Sequence, residues 1–84
     1  MAMDTATEQV YDKEIDARGS FCPGPLLELI RGLKCIPIGG VVAVLTSDPE
    51  SEKDIPLWVK KVGHRLVEAR AEQDATRFIV CKLH

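Results

Sequence analysis

The chain is 84 residues long, enough for one small domain built around a single core. Its 11 basic and 13 acidic side chains are spread along the sequence and leave a formal charge of −2, so no basic stripe exists to neutralise phosphates. Direct binding to nucleic acid is therefore not expected.

Residues 1–10 are polar and aperiodic, which predicts a flexible N-terminal tail ahead of one domain over residues 11–84. Met1 to Gln9 has no basic start followed by an apolar run, so no secretory signal is expected and a cytoplasmic location follows as an expectation. From Tyr11 to Ala17 a short, partly alternating pattern places Tyr11, Lys13 and Ile15 on one side, and Arg18-Gly19-Ser20 ends it. That is a weak first strand and a turn.

Leu26, Leu29, Ile30, Leu33 and Ile36 recur at helical spacing while Glu28, Arg31 and Lys34 fall off the stripe, so an amphipathic helix is predicted from Pro23 to about Cys35. Pro37 and Gly39-Gly40 end it. Val41 to Thr46 is a continuous, mostly β-branched run that suits an interior strand. The apolar region from Cys35 to Leu45, broken by Pro37, Gly39 and Gly40, is too short to span a bilayer.

Asp48-Pro49 combines a cap with a proline at a first helical position, and Ile55, Trp58, Val59 and Val62 repeat like the buried face of a second helix closed by Gly63. Pro56 falls inside that span, so either the helix starts at Asp54, with Pro56 in the first turn, or a looser turn precedes it. Trp58 on that stripe is expected in the core. His64 to Ala71 and Thr76 to Leu83 both alternate, and the polar Glu72 to Ala75 between them suits a hairpin.

The order β-α-β-α-β-β, with a right-handed crossover making the first two strands parallel and a closing antiparallel pair, gives an α+β fold. The expected architecture is a two-layer α/β sandwich: a four-stranded mixed sheet with both helices on one face. The other face of the sheet is left to solvent or to a partner.

Three cysteines are an odd number for a disulfide framework, and Cys22, Cys35 and Cys81 lie far apart with no C-x-x-C pair, so neither a disulfide set nor a metal site is expected. Cys22 differs from the other two in its setting, Phe21-Cys22-Pro23-Gly24-Pro25, at the start of the first helix. Early prolines lose nothing where helix N–H groups have no intrahelical acceptor, and they fix the entry of the chain. The free N–H groups and the positive helix end are expected to favour a thiolate on Cys22, or a persulfide anion.

Gly24 is expected to leave the sulfur uncrowded and Gly19 to permit a tight approach, while Arg18 either points toward Cys22 or pairs with Asp16. The competing reading makes Cys22 a buried small hydrophobe in ordinary Pro-Gly-Pro turn chemistry. Cys35, near the helix C-terminus, and Cys81, in a strand, suit structural roles, and His64 a capping or packing role.

Ile15-Asp16-Ala17-Arg18-Gly19-Ser20-Phe21-Cys22-Pro23-Gly24-Pro25 closely resembles the opening of the TusA family of sulfur carriers, whose hallmark is Cys-Pro-x-Pro. The resemblance continues through Asp48-Pro49, Asp54-Ile55-Pro56 and Gly63-His64, and covers about residues 13 to 83. It implies the same β-α-β-α-β-β sandwich, and a carrier that accepts sulfane sulfur as a persulfide or thiosulfonate on Cys22 and relays it to a partner protein. Such a chain is a sulfurtransferase-type carrier rather than a free-standing multi-turnover enzyme, and it needs no cofactor.

The resemblance also implies a donor protein, of the rhodanese, cysteine desulfurase or DsrE type, and an acceptor protein. The pathways it implies are sulfur-compound oxidation or biosynthetic relay such as tRNA thiolation, and Gly24 with Leu26 to Ile30 looks more like the sulfur-oxidation branch. Arg18, Gly19, Pro23, Gly24 and Pro25 would support the reactive residue, and Arg31, two turns along the helix, would meet the docked partner. The rival from another class is a non-catalytic binding or regulatory module in which Cys22 is structural.

Overall fold

The computed structural model describes residues 11–84, so the tail expected over 1–10 lies outside the described residues. The elements follow in the expected order: β1 (Lys13–Asp16), α1 (Gly24–Lys34), β2 (Val41–Thr46), α2 (Pro49–Val62), β3 (Arg65–Glu72) and β4 (Ala75–Cys81). Pro23 is the N-cap residue of α1 rather than its first helical residue, and Cys35 is its C-cap.

α2 is helical from Pro49 onward, capped by Asp48, so neither a start at Asp54 nor a looser turn ahead of Pro56 is what forms. Asp48 accepts the Ser51 N–H as a side-chain cap, Pro49 opens the helix, and Gly63 closes it at φ 85, a left-handed conformation that suits glycine. The helix runs straight through Pro56, which has no N–H to offer the Glu52 carbonyl. Tertiary packing of Ile55 and Val59, both buried, holds the helix across that gap.

The strand order is β1-β2-β4-β3, with β1 parallel to β2 and both other pairings antiparallel. β2 and β4 are therefore interior, as the β-branched run at Val41–Thr46 requires. The β3–β4 hairpin is tighter than expected, because Glu72 and Ala75 pair and leave only Gln73 and Asp74 in the turn. A register shift between Leu66 and Glu68 leaves Val67 as a bulge.

Val42 lies opposite Val80 and Val44 opposite Phe78, so these four share one face of the sheet. They pack with Leu29, Leu33 and Ile36 on one side and Ile55 and Val59 from α2 on the other, placing both helices on that face. Each fully buried Leu, Ile or Val contributes about 1.5–3 kcal/mol relative to exposure. Trp58 sits at the margin of this core, half-buried. α1 approaches β1 closely at Gly32, where an added Cβ would come within 3.0 Å of the Ile15 side chain.

The opposite face carries a charge ladder. By register, Glu14, Arg77, Glu68, Arg70 and Glu72 share it with the buried Ala43, Leu45 and Ile79. Arg77 pairs with Glu14 across two strands and with Glu72 at 2.7 Å, and Arg70 pairs with Glu68 at 3.1 Å. Hydrogen bonds to Glu72 and Glu14 hold Arg77 firmly in its charged form. Among the described residues, this face meets solvent through paired charges rather than an apolar sheet surface.

Candidate functional site

β1 ends at Asp16, and the Ala17 N–H continues its pairing with the Leu45 carbonyl at 2.8 Å. The chain then turns at Arg18-Gly19, with Gly19 at φ 88 and the Ser20 N–H returning to the Ala17 carbonyl at 3.1 Å. This turn delivers Phe21 and Cys22 to the N-terminal end of α1 and beside the first turns of α2. The Cys22–Pro23 peptide is cis.

Two aspartates of the α2 segment receive Cys22. Its N–H donates to Asp48 Oδ2 at 2.8 Å, and its thiol donates to Asp54 Oδ2 at 3.2 Å. Asp48 is buried, and the same oxygen also accepts the Ser51 N–H at 3.0 Å and the Ser51 hydroxyl at 2.8 Å. One cap thus pins α2 and the cysteine loop together. Burial alone would raise the Asp48 carboxyl, but donors from the Ser51 hydroxyl and from the Cys22, Ser51 and Glu50 backbone keep it below the usual carboxylate range.

The Cys22 thiol is half-buried and free, and its acidity is the reverse of what the helix end suggests. The hydrogen bond to Asp54, followed by partial burial and the charges of Asp54, Asp48 and Glu50, pushes the thiol above the ordinary cysteine range. The helix offers less than expected. Gly24 N–H is engaged by the Phe21 carbonyl at 2.7 Å, Leu27 N–H by the Pro23 carbonyl at 2.9 Å, and Pro25 has none. Among the described residues the Leu26 N–H is left as the first-turn donor without a backbone acceptor, and at the thiol the nearby carboxylates outweigh it.

Other expected contributors are placed differently. Arg18 pairs with Asp16 at 2.7 Å, and its guanidinium holds the Asp16 carboxyl down to about 2. Its hydrogen bonds all go to Asp16 and none to Cys22 among the described residues. Nothing lies within 4 Å of a Cβ built on Gly19, so that glycine serves its positive φ rather than a close approach. A Cβ on Gly24 would meet Ser20 at 3.4 Å, not the sulfur.

Pro23 is exposed at the N-cap, whereas Pro25 is fully buried and packs as well as shaping the helix entry. Arg31 is exposed and bridges to Glu28 at 3.0 Å, one helical turn back toward Cys22. Phe21, 76% exposed, and Leu27, 45% exposed, add an apolar rim on either side of the cysteine in sequence.

Cys35 is exposed at the far end of α1, and Cys81 lies on β4 with its sulfur nearest the Gly39 carbonyl at 3.8 Å. His64 has the packing role expected of it: Nδ1 accepts the Leu83 N–H at 3.2 Å and the ring stacks on His84 at 4.7 Å. Among the described residues no group of three or more His, Cys, Asp or Glu is placed to hold a metal, and no helix is long and apolar enough to cross a membrane.

The two aspartates are the site residues that motif reasoning on Cys22 missed. Asp48 was legible as a cap but not as the partner of Cys22. Asp54 lies three residues after Ser51, one turn along the same side of α2, a signal that becomes informative only once Ser51 is known to face the cysteine loop.

The family model described as sulfurtransferase TusA matches residues 13–82. A chain from Archaeoglobus fulgidus, named as a candidate sulfur carrier protein, is 59% identical over 69 residues, covering 82% of this chain and 94% of its own. The sulfur carrier protein TusA of Pseudomonas syringae is 40% identical over 62 residues, 74% of each chain. That of Allochromatium vinosum is 35% identical over 72 residues, covering 86% of this chain and 95% of its own.

The crystal structure of a SirA-like protein from Desulfitobacterium hafniense matches the fold with a TM-score of 0.73 at 23% identity, over 86% of this chain and 99% of that one. None of these relatives supports the rival reading of a binding module with a structural cysteine. With the family model spanning both helices and all four strands, and relatives aligned over most of their own length, this chain belongs to the TusA family.

Proposed function

We propose that this protein is a sulfur carrier that accepts sulfane sulfur on Cys22 and hands it to an acceptor protein. The observation that carries the reading is the placement of Cys22: a free, half-buried thiol on a tethered loop, within the family match and next to the exposed Phe21. A partly exposed thiol beside an exposed aromatic side chain suits a reactant that arrives on another protein.

In the loading step the Cys22 sulfur attacks the outer sulfur of a donor persulfide. A new Cys22 S–S bond forms, the donor's S–S bond breaks, and the thiol proton goes to the departing donor sulfur. The products are a Cys22 persulfide and a donor thiol, with no net oxidation. In the unloading step an acceptor thiolate attacks the outer sulfur, and Cys22 leaves and recovers a proton.

Donor and acceptor both need access to the end of α1, so they compete for the rim of Phe21, Leu27 and Arg31. Rhodanese, cysteine desulfurase and DsrE-type proteins are the donor classes this reading favours, working in the cytoplasm in sulfur-compound oxidation or biosynthetic relay. Incubating the reduced chain with a persulfide-bearing donor and mapping the added sulfur by peptide mass spectrometry tests the reading. Sulfur on Cys22, lost in Cys22→Ser, is expected; sulfur on Cys35 or Cys81 with Cys22 bare would overturn it.

A further inference from the structure

Asp54 is the least accounted-for charge at this site. Asp48 already accepts from the Cys22 N–H and from both the N–H and the hydroxyl of Ser51, whereas the Cys22 thiol is the hydrogen-bond partner found for the Asp54 side chain among the described residues, and no basic side chain there forms an ion pair with it. A carboxylate whose partner is a thiol responds to what that thiol carries. The thiol can donate a proton to it; a persulfide anion cannot, and like charges repel.

We propose that Asp54 is a positioning residue that makes the carrier's sulfur follow its load: it holds the empty thiol in toward α2 through their hydrogen bond and turns the loaded persulfide anion outward to the acceptor. This deepens the carrier reading and rests on it. The loaded sulfur is an anion because a persulfide gives up its proton more readily than the parent thiol. The charges of Asp48 and Glu50 act on Cys22 in the same sense as Asp54, disfavouring an anion at the resting position.

The empty carrier consequently presents a restrained, neutral thiol, and small electrophiles meet a poor nucleophile. Docking of a donor must displace that hydrogen bond. After transfer the extra negative charge opposes return of the sulfur to its resting position, so presentation to the acceptor needs no backbone movement.

The test uses the full chain and its Asp54→Asn variant, which keeps the side-chain shape without the charge. Alkylation of the empty Cys22 by iodoacetamide is followed against pH by peptide mass spectrometry, and repeated after loading with inorganic polysulfide. In that loading step the outer polysulfide sulfur bonds to Cys22, and the thiol proton goes to the shortened polysulfide. Asp54→Asn should move the profile of the empty thiol to lower pH, making alkylation at neutral pH faster by a factor of about 3, and at most about 10, for each unit the midpoint falls, because a less basic thiolate is also a weaker nucleophile. The loaded-to-empty rate ratio should drop accordingly.

Asp54→Glu, which restores the carboxylate, should bring the profile back toward wild type, and Asp54→Ser replaces Asp54→Asn if thermal melting shows the latter unfolded. A folded, uncharged variant with an unmoved profile overturns the proposal. The two readings fail separately: a shifted profile in a chain that takes no sulfur from any protein donor would sink carriage but not positioning, and sulfur uptake with an unmoved profile the reverse.

Discussion

The Cys22 thiol donates a hydrogen bond to Asp54 Oδ2 at 3.2 Å, across 32 residues of sequence. That contact, with the N–H of Cys22 bonded to Asp48, ties Cys22 to the α2 segment as well as to the helix it opens. The charge of the sulfur is governed by the neighbouring element.

The first consequence concerns reactivity. With its folded acidity weakened by Asp54 and its companions, Cys22 should alkylate more slowly at neutral pH than a model thiol, and the exposed Cys35 should label ahead of it. The Cys22 rate should rise with pH through a midpoint above the ordinary thiol value. Peptide-resolved labelling from neutral to alkaline pH measures both; a Cys22 rate already at its plateau near neutrality would contradict the carboxylate argument.

Asp48→Ala removes the α2 cap and the acceptor of the Cys22 N–H together. Tm should fall by about 5 °C or more, and amide exchange should quicken at Cys22 and Ser51 before the rest of the fold. The Asp48 carboxyl is held below its unfolded value, so its contribution is present above the unfolded carboxylate range and is lost as pH falls through the lower folded value. Thermal melts at decreasing pH should therefore converge for wild type and variant.

Ile55→Ala probes the core directly beneath the site. Ile55 is fully buried between α2 and the sheet, and truncation should cost about 2–5 kcal/mol by transfer and cavity terms. Denaturant melts give the loss, and sulfur uptake per folded molecule should be retained. Loss of uptake at full stability would mean that the core position serves the chemistry directly.

Arg31→Glu replaces an exposed cation that pairs with Glu28, a pair worth only about 0.2–0.5 kcal/mol to the helix. The fold and iodoacetamide labelling of Cys22 should be unchanged, while transfer from a protein donor slows. Unaltered transfer from every donor tried would remove Arg31 from the docking surface.

The periodicities decide most of the fold. Val41–Thr46 read as an interior strand because a β-branched run without alternation suits burial on both faces, and that strand lies between β1 and β4. Asp48-Pro49 offered the start of α2 because capping is local chemistry within three residues, and Pro56 obscured it until packing was known. The same locality placed Cys22 at the start of α1, and the structure sets it one residue before the N-cap Pro23.

Arg18 shows where locality ends: Cys22 and Asp16 were both near in sequence, and the turn after β1 settled the choice in favour of Asp16. The acidity of Cys22 lay further out of reach. A helix N-terminus can be seen in one segment, but the opposing carboxylates arrive from a segment that the β1-α1-β2 crossover brings alongside. Sequence by itself placed Cys22 at the start of the helix it opens; the tertiary structure decided that thiol's electrostatic surroundings and direction, because electrostatic interaction follows distance in space and not separation along the chain.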